Sequence, residues 1–276
     1  MTKLRQLFGW TRHSYYLFSA FLLICLLIVY IWWPLVQDYL SYMDGSLPWY
    51  VYVDWLLLGI FLFMSLAIMA GADLKVDGLI VFVGMCGGLV IESWGTQTNL
   101  WHYYTAERPP LWIIPAWPIA SLCIDRITRW LDFLVTQGMR WGAARLTGRG
   151  VDLAGRVFYG LVFGGFYLLM LWFVAPTFGK TYTIGALVIC GLMILTPPSR
   201  RMAVLVFLAG SGLGYFLEVW GTTRGCWIYY TNETPPLFAV LAHGMAAVAF
   251  WRTGLLVQKV WGKLGARLPS TDPTAG

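Results

Sequence analysis

The sequence predicts an all-α integral membrane protein of about eight transmembrane helices, arranged as two parallel four-helix repeats. Three observations predict this fold class. Of the 276 residues, 59% are hydrophobic and only 12% are charged, whereas a soluble domain carries about 25% charged residues. Several apolar stretches approach the ~20 residues that a helix needs to cross ~30 Å of hydrocarbon. In addition, one long motif occurs twice along the chain.

The apolar stretches are interpreted as membrane-spanning helices, because unpaired backbone groups are too costly in lipid. Lysine and arginine are concentrated in the segments between alternate stretches, and the positive-inside rule makes these segments cytoplasmic. We therefore expect both termini in the cytoplasm and the chain in a bacterial inner membrane. The net charge of +6 then reflects topology, and nucleic acid is not an expected partner. The predicted spans are residues 16–36, 53–72, 78–94, 110–128, 157–176, 182–197, 202–219 and 236–256.

The predicted domain organisation follows from these spans. Two four-helix units are joined by a basic, glycine-containing linker, in which we expect an amphipathic helix on the anionic leaflet. The chain ends in a short tail. The predicted segments are 1–130 for the first repeat, 131–156 for the cytoplasmic linker, 157–260 for the second repeat and 261–276 for the cytoplasmic tail.

The repeat is the most informative feature of the sequence. A shift of 126 positions aligns residues 84–111 with residues 210–237, and 14 of these 28 positions are identical. Unrelated apolar segments would share only about two or three. Because the period contains four spans, the copies are predicted to be parallel, unlike inverted-repeat transporters. The first copy reads Gly84-x-x-x-Gly88-x-x-x-Glu92-x-Trp94-Gly95-Thr96 and the second Gly210-x-x-x-Gly214-x-x-x-Glu218-x-Trp220-Gly221-Thr222.

The motif places a carboxyl group beside small residues and aromatic rings. Residues four apart share one helix face, and glycines there allow a neighbouring helix or a flat lipid chain to approach closely. A carboxyl group sheltered from water favours its neutral form and can act as a general acid, while aromatic faces stabilise a developing cation. The candidate proton donors are Glu92 and Glu218, with Glu107 and Glu233 as possible partners. The candidate substrate-binding residues are Gly84, Gly88, Trp94, Trp101, Tyr103, Tyr104, Gly210, Gly214, Trp220, Trp227, Tyr229, Tyr230 and His243.

A purely structural interpretation of the same motif stays open. Tryptophan and tyrosine anchor helices at membrane interfaces whatever the function, and the glycines can form a helix-packing seam. The glutamates can be satisfied by an indole N–H, by Arg108 or by Arg224. His243, whose counterpart in the first half is Trp117, is either a polar site residue or a buried histidine bonded to a backbone carbonyl. Intramembrane carboxylates usually mark sites, which favours the functional interpretation.

Other polar residues predict little chemistry. Asp54 is expected to cap a helix, and Asp125, Arg126 and Arg252 are expected to snorkel at inner span ends. A charge pair midway along a span would favour a proton-coupled transporter, and the sequence shows no convincing one. The sequence carries no phosphate-binding loop, dinucleotide-binding glycine motif, zinc motif or histidine cluster, so neither a cofactor nor a metal is expected. Cofactor-free acid–base chemistry, or transport and binding, remains.

The motif also resembles that of a known family. The order Glu92…Gly95…Trp101-x-Tyr103…Pro110…Trp117 resembles the motif region of the integral-membrane carotenoid hydratases of the bacterioruberin-hydratase type. This resemblance implies protonation of a terminal isoprenoid double bond and capture of the tertiary cation by water, without a cofactor. The sequence departs from the pattern by carrying the element twice and by its Trp-Gly-Thr context. Membrane lycopene cyclases would use the same chemistry with ring closure.

Two functions of different class are therefore expected. The first is a cofactor-independent enzyme that protonates a double bond of an isoprenoid or carotenoid-like lipid. The alternative is a lipid or small-solute transporter, or a structural subunit of a membrane complex, in which the two motifs line a shared groove.

Overall fold

The computed structural model describes residues 3–43, 45–142 and 148–265. Their fold is mostly helical, which confirms the predicted helical membrane class. The central residues of the predicted linker, 143–147, and most of the predicted tail, 266–276, lie outside the described residues.

The described residues form ten α-helices, two three-residue strands and three short 3₁₀ turns. The turns are Trp49–Val51, Leu111–Ile113 and Ala175–Thr177, and the strands are β1 (Trp101–Tyr103) and β2 (Trp227–Tyr229). The helices are α1 (Lys3–Phe8), α2 (Arg12–Ile31), α3 (Trp33–Ser41), α4 (Trp55–Met69), α5 (Leu74–Gln97), α6 (Ala116–Gly142), α7 (Gly148–Val174), α8 (Thr181–Leu195), α9 (Arg200–Thr223) and α10 (Leu237–Gly265).

Within the part of the chain that the structure describes, six helical segments are long and apolar enough to cross a membrane. The helices α4 and α8 are also apolar, but each has only 15 residues. At 1.5 Å per residue such a helix covers roughly 22 Å, less than the ~30 Å of the hydrocarbon layer. The six segments are Arg12–Ile31, Leu74–Gln97, Leu111–Gly138, Leu153–Thr177, Arg200–Thr223 and Leu237–Trp261.

Side-chain caps fix where the principal helices begin. Asp54 accepts a hydrogen bond from the backbone N–H of Leu57 at 3.1 Å, which confirms its predicted role as a cap. Asp73 caps α5 in the same way, and Ser199 caps α9. Each cap satisfies a backbone donor that has no partner within the helix.

Three local features differ from the prediction. The predicted first span 16–36 is broken, because α2 ends at Ile31 and Pro34 lies in the first turn of α3, where its missing N–H is tolerated. The described parts of the linker, 131–142 and 148–156, are helical and continue α6 and α7. The segments after α5 and α9 contain β1 and β2, which pair antiparallel with Trp101 opposite Tyr229 and Tyr103 opposite Trp227.

Four helices form the centre of the bundle. In sequence order α5 packs on α6, α6 on α9, α9 on α10 and α10 back on α5. Outside this group α4 packs on α6 and α2 packs on α4, while α7 and α8 pack beside α9 and α10. The paired strands cross between the C-terminal ends of α5 and α9, so both copies of the motif meet at the same end of the central group.

A buried ion pair lies at the opposite end of the first half. Both side chains are almost fully buried, and Arg126 donates to the two carboxylate oxygens of Asp77 at 2.8 and 2.7 Å. Arg126 also pairs with Asp125, which in turn pairs with Arg129. The prediction that Arg126 snorkels is therefore wrong. The partner was missed because Asp77 is 49 positions away in sequence.

Candidate functional site

Each copy of the motif folds into a helix end, a tight turn and a strand. The turns contain Asn99 (φ 61°) and Gly225 (φ 67°), which are counterparts in the repeat. This left-handed conformation is one that glycine and asparagine adopt at little cost. The backbone N–H of Leu100 donates to the carbonyl of Gly95 at 2.9 Å, and the corresponding bond occurs in the second copy. These turns fold each strand back over the end of its helix.

Glu92 lies buried where α5, β1 and α6 meet, with 2% of its surface exposed. Its Oε1 accepts hydrogen bonds from the Tyr103 hydroxyl at 2.9 Å and from the Trp117 indole N–H at 3.1 Å. Its Oε2 accepts one from the Trp101 indole N–H at 3.1 Å. Three neutral donors therefore hold this carboxylate in place.

Glu218 has the corresponding environment in the second half, with 3% of its surface exposed. The Trp227 indole N–H donates to Oε2 at 2.9 Å, and the Tyr229 hydroxyl donates to Oε1 at 2.9 Å. The third partner is His243, whose Nε2 lies 2.9 Å from Oε1. The two sites thus share two donors and differ in the third.

Glycines in α5 and α9 make room for these donors. A Cβ on Gly95 would lie 1.9 Å from ring carbons of Trp101, and one on Gly88 would lie 2.4 Å from Trp117. In the second half a Cβ on Gly214 would lie 2.5 Å from His243. The motif therefore needs glycine where an aromatic partner of the glutamate lies flat against the helix.

The predicted glycine stripes contact protein. A Cβ on Gly84 would lie 2.8 Å from the Ser121 hydroxyl of α6, and one on Gly210 would lie 2.8 Å from the His243 carbonyl of α10. The sequence predicted that these glycines admit either a neighbouring helix or a flat lipid chain. At Gly84 and Gly210 the close neighbour is a helix. These glycines allow α6 and α10, which carry Trp117 and His243, to pack closely on α5 and α9. The four glycines are Gly84, Gly88, Gly210 and Gly214.

The tyrosine partners are strong donors that keep their protons. Burial, followed by the charge of Glu92, raises the pKa of Tyr103 well above its ordinary value. Burial and the charge of Glu218 do the same for the pKa of Tyr229. Burial also raises the pKa of the nearby Cys226 thiol to about 12, so this thiol is not a nucleophile at neutral pH. The ionisable chemistry of the site therefore rests on the carboxylates and the histidine.

The two carboxylate sites form one continuous cluster. The rings of Trp117 and His243 stack with centroids 5.9 Å apart. Each tyrosine partner contacts the tryptophan partner of the other site, with centroids 6.0 Å apart in both pairs. Any molecule that reaches one carboxylate is therefore close to the other.

A large apolar cavity adjoins this cluster. Its volume is about 1690 Å³, which exceeds the roughly 300–1,000 Å³ of typical small-molecule sites. Apolar side chains from α2, α4, α5, α8 and α10 form most of its wall. The polar and aromatic residues of the cluster that line it are Glu92, Trp101, Tyr103, Trp117, Glu218, Trp227, Tyr229 and His243.

The remaining predicted aromatic residues connect elements of the fold. Trp94 and Trp220 line the cavity, and their indole N–H groups donate to Thr183 and Asp54 at 3.1 and 3.0 Å. The hydroxyl groups of Tyr104 and Tyr230 donate to carbonyls at the ends of α2 and α7, so they anchor the segments that follow β1 and β2.

Glu107 and Glu233 lie elsewhere. Both side chains are exposed, and within the described ranges no hydrogen bond joins either of them to Glu92 or Glu218. The two arginines that could have paired with the site have other partners. Arg108 donates to Asn99 at 2.7 Å, and Arg224 binds Asp54 through two hydrogen bonds of 3.0 Å.

Sequence reasoning missed one member of the site. Trp117 was named as the counterpart of His243 and as the last residue of the family-like motif, but not as a candidate site residue, although it donates directly to Glu92. The available signal was the repeat itself. Since His243 was proposed for the site, the residue aligned with it in the repeat, Trp117, is expected at the equivalent position of the first half.

Fold and site together define a helical membrane protein in which two buried carboxylates, each held by aromatic donors, face one apolar cavity. Comparisons of the chain with protein-family models, with curated proteins and with solved structures find no match.

Proposed function

We propose that this protein is a cofactor-independent membrane enzyme that protonates a double bond of an isoprenoid or carotenoid-like lipid and so leads to hydration or cyclisation. The observation that carries the proposal is the burial of Glu92 and Glu218 on the wall of one large apolar cavity. Carboxyl groups are costly in the membrane interior, and those that occur there usually mark functional sites.

The cavity supports a long, apolar substrate. A chain of isoprene units offers no hydrogen-bonding groups, and the cavity wall consists mainly of aliphatic and aromatic side chains. Burial of apolar surface contributes about 25 cal/mol per Å². An extended hydrocarbon therefore gains affinity along its whole length, and its end group lies against the polar cluster.

The polar cluster supports carbocation chemistry. When a carboxyl O–H protonates a carbon–carbon double bond, the π electrons form the new C–H bond, the carboxylate keeps the O–H electron pair and the other carbon becomes a cation. The rings of Trp101, Tyr103 and Trp117, together with Trp227 and Tyr229 of the second half, offer π faces to that cation. Attack by water and loss of one proton to the carboxylate give an alcohol. Attack by a second double bond of the lipid and loss of a proton give a cyclic isomer.

The resemblance to carotenoid hydratases supports the same reaction class. The residues that carry it in the first half include Glu92, Trp101, Tyr103 and Trp117, and these four residues are joined by the three hydrogen bonds of the site.

We further propose that the chain crosses the membrane eight times as two parallel repeats, with α4 and α8 as short crossings. Both termini then lie in the cytoplasm of a bacterial cell and both carboxylates lie near the outer face. The equal surroundings of Glu92 and Glu218 at a constant shift in sequence support this arrangement, as does the pairing of β1 with β2.

The test is mass spectrometry of lipid extracts from cells with and without the gene. Hydration adds the mass of one water to a polyisoprenoid, and cyclisation gives an isomer with a different retention time. Glu92→Gln and Glu218→Gln should each abolish the product. Asp132→Asn, which changes a carboxylate in a half-exposed ion pair with Arg201, should not.

Two results would overturn the proposal. One is an unchanged lipid profile when the wild-type protein is present, and the other is a product that survives both glutamine variants. If the lipid instead changes side of the membrane with its structure intact, the protein is a transporter.

A further inference from the structure

The two carboxylate sites differ in whether their partners can carry a proton. Glu92 is held by two indole N–H groups and one phenol. An indole N–H only donates, and burial keeps the phenol protonated. Three hydrogen bonds favour the ionised form of a carboxylate, whereas burial favours the neutral form. The donor set itself gives Glu92 no partner that takes up a proton near neutral pH.

The second site lacks this restriction at one position. His243 occupies the place of Trp117, and its Nε2 lies 2.9 Å from Glu218 Oε1. A histidine nitrogen can donate a hydrogen bond, accept one, or bind a proton. The hydrogen bond between Glu218 Oε1 and His243 Nε2 can therefore contain one exchangeable proton, bound to either atom.

We propose that the two halves divide the chemistry, with Glu218 and His243 together holding the proton that the substrate receives and Glu92 remaining an anion that stabilises the cation. This inference rests on the proposed function and assigns a separate role to each carboxylate. His243 is a catalytic residue in this assignment, because it lines the cavity with 18% of its side chain exposed.

The surroundings of the pair fit this division. The titratable groups around Glu218 and His243 are Tyr229 from β2, Tyr103 from β1 and Glu92 from α5. Both tyrosines stay neutral, since burial raises the pKa of each. The negative charge near the pair is therefore that of the Glu92 carboxylate. It attracts the cation that forms on the substrate in the adjacent cavity.

The proton balance is complete within the pair. Before reaction Glu218 and His243 share one proton. That proton forms the new C–H bond with the π electrons of the substrate, so the pair is left as a carboxylate and a neutral imidazole. After water adds to the cation, the oxonium group returns one proton to the pair. In the cyclisation branch a C–H bond of the cation returns it.

A reciprocal exchange of the two aligned residues tests the inference. His243→Trp gives the second site the donor set of the first, and Trp117→His does the reverse. Conversion of the substrate identified in the lipid extracts is measured in membranes as a function of pH. General acid catalysis contributes about 10²–10⁴-fold, so His243→Trp should lose at least about 100-fold in rate. Trp117→His should lose less rate than His243→Trp, because Glu218 and His243 are intact.

A smaller substitution serves as the control for misfolding of His243→Trp. His243→Gln keeps a side chain that can hydrogen-bond Glu218 but cannot bind a proton. Its rate of substrate conversion should fall by a factor similar to that for His243→Trp. If the pair holds the reacting proton, the wild-type rate falls at high pH as the pair loses that proton. His243→Gln should move this fall to a different pH, which loss of a purely structural histidine would not do. If His243→Trp does not accumulate in the membrane, His243→Gln decides.

The outcomes separate this inference from the proposed function. A wild-type protein that converts no lipid contradicts the proposed function itself. Two results overturn the division of roles while the wild type still converts the lipid. One is that His243→Gln stays active, and the other is that Trp117→His loses as much activity as His243→Gln.

Discussion

The sites around Glu92 and Glu218 are alike in almost every contact and differ at one residue. In each, a strand tyrosine and a strand tryptophan donate to the carboxylate, and a glycine one turn away accommodates the tryptophan ring. The third partner is Trp117 in one half and His243 in the other. The burial of a carboxylate is thus a property of the shared motif. The ability to exchange a proton depends on the single position that differs.

The opposite ends of the two halves differ more. In the first half Arg126 is fully buried and binds Asp77. In the second half the aligned residues are Ala203 and Arg252, and Arg252 donates to the carbonyl of Met193 and the hydroxyl of Thr196. The first half therefore depends on an ion pair where the second half uses neutral acceptors.

The largest expected effect concerns this ion pair. Asp77→Ala leaves the guanidinium of Arg126 buried with one fewer partner, and breaking a buried pair in this way costs about 3–5 kcal/mol. We expect a marked decrease in the apparent melting temperature of the protein in detergent. Asp132→Ala removes the partner of Arg201 from a half-exposed pair, which is worth about 0–1 kcal/mol. Equal shifts for the two variants would contradict the assigned role of Asp77.

The next effect should be the same in both halves. Gly95→Ala and Gly221→Ala each place a Cβ about 2 Å from a tryptophan ring, and such overpacking costs about 1–3 kcal/mol. Each substitution displaces an indole from its glutamate, so product formation should fall with stability. Gly160→Ala in α7, where a Cβ meets nothing within 4 Å, should be neutral or slightly stabilising. Stability is measured by thermal unfolding in detergent, and a large difference between Gly95→Ala and Gly221→Ala would show that the two sites are built differently.

The sequence was sufficient to predict the helices and the central glutamates. Long apolar stretches located most helix ends closely, because the length of such stretches is a local property. However, α6 and α10 continue well past residues 128 and 256, and α7 begins well before residue 157. The repeat singled out Glu92 and Glu218, and the structure brings them together with Trp101, Tyr103, Trp227 and Tyr229.

The missed features all depend on contacts that are distant in sequence. The pairing of β1 with β2 joins residues from different halves, and the partner of Arg126 lies on another helix. The exposure of Glu107 and Glu233 was not evident either, because their identity in both copies placed them beside residues that are buried. Identity between repeats marks a shared environment, but it does not say whether that environment is buried.

A smaller effect distinguishes the two carboxylates directly. In Glu92→Gln the amide NH₂ faces an indole N–H in either orientation, because Trp101 and Trp117 donate to different oxygens and neither can accept. In Glu218→Gln the NH₂ can face His243, which accepts. One unsatisfied buried donor costs about 1–3 kcal/mol. Glu92→Gln should therefore unfold at the lower temperature, although Glu218→Gln should lose as much activity. Equal melting temperatures would mean that His243 does not accept.

The smallest expected effect concerns the tyrosines that follow the strands. Tyr104 donates to the carbonyl of Ile31 and Tyr230 to that of Phe173. Each carbonyl lies in the last turn of its helix, where the helix itself provides no donor. Tyr104→Phe and Tyr230→Phe should each cost about 1 kcal/mol, while Tyr215→Phe on the exposed face of α9 should cost nothing measurable. If Tyr104→Phe alone lowered the melting temperature, the anchor to α2 would be specific to the first half. Equal shifts would mean that both halves hold their strands in the same way, which leaves Trp117 and His243 as the functional difference between them.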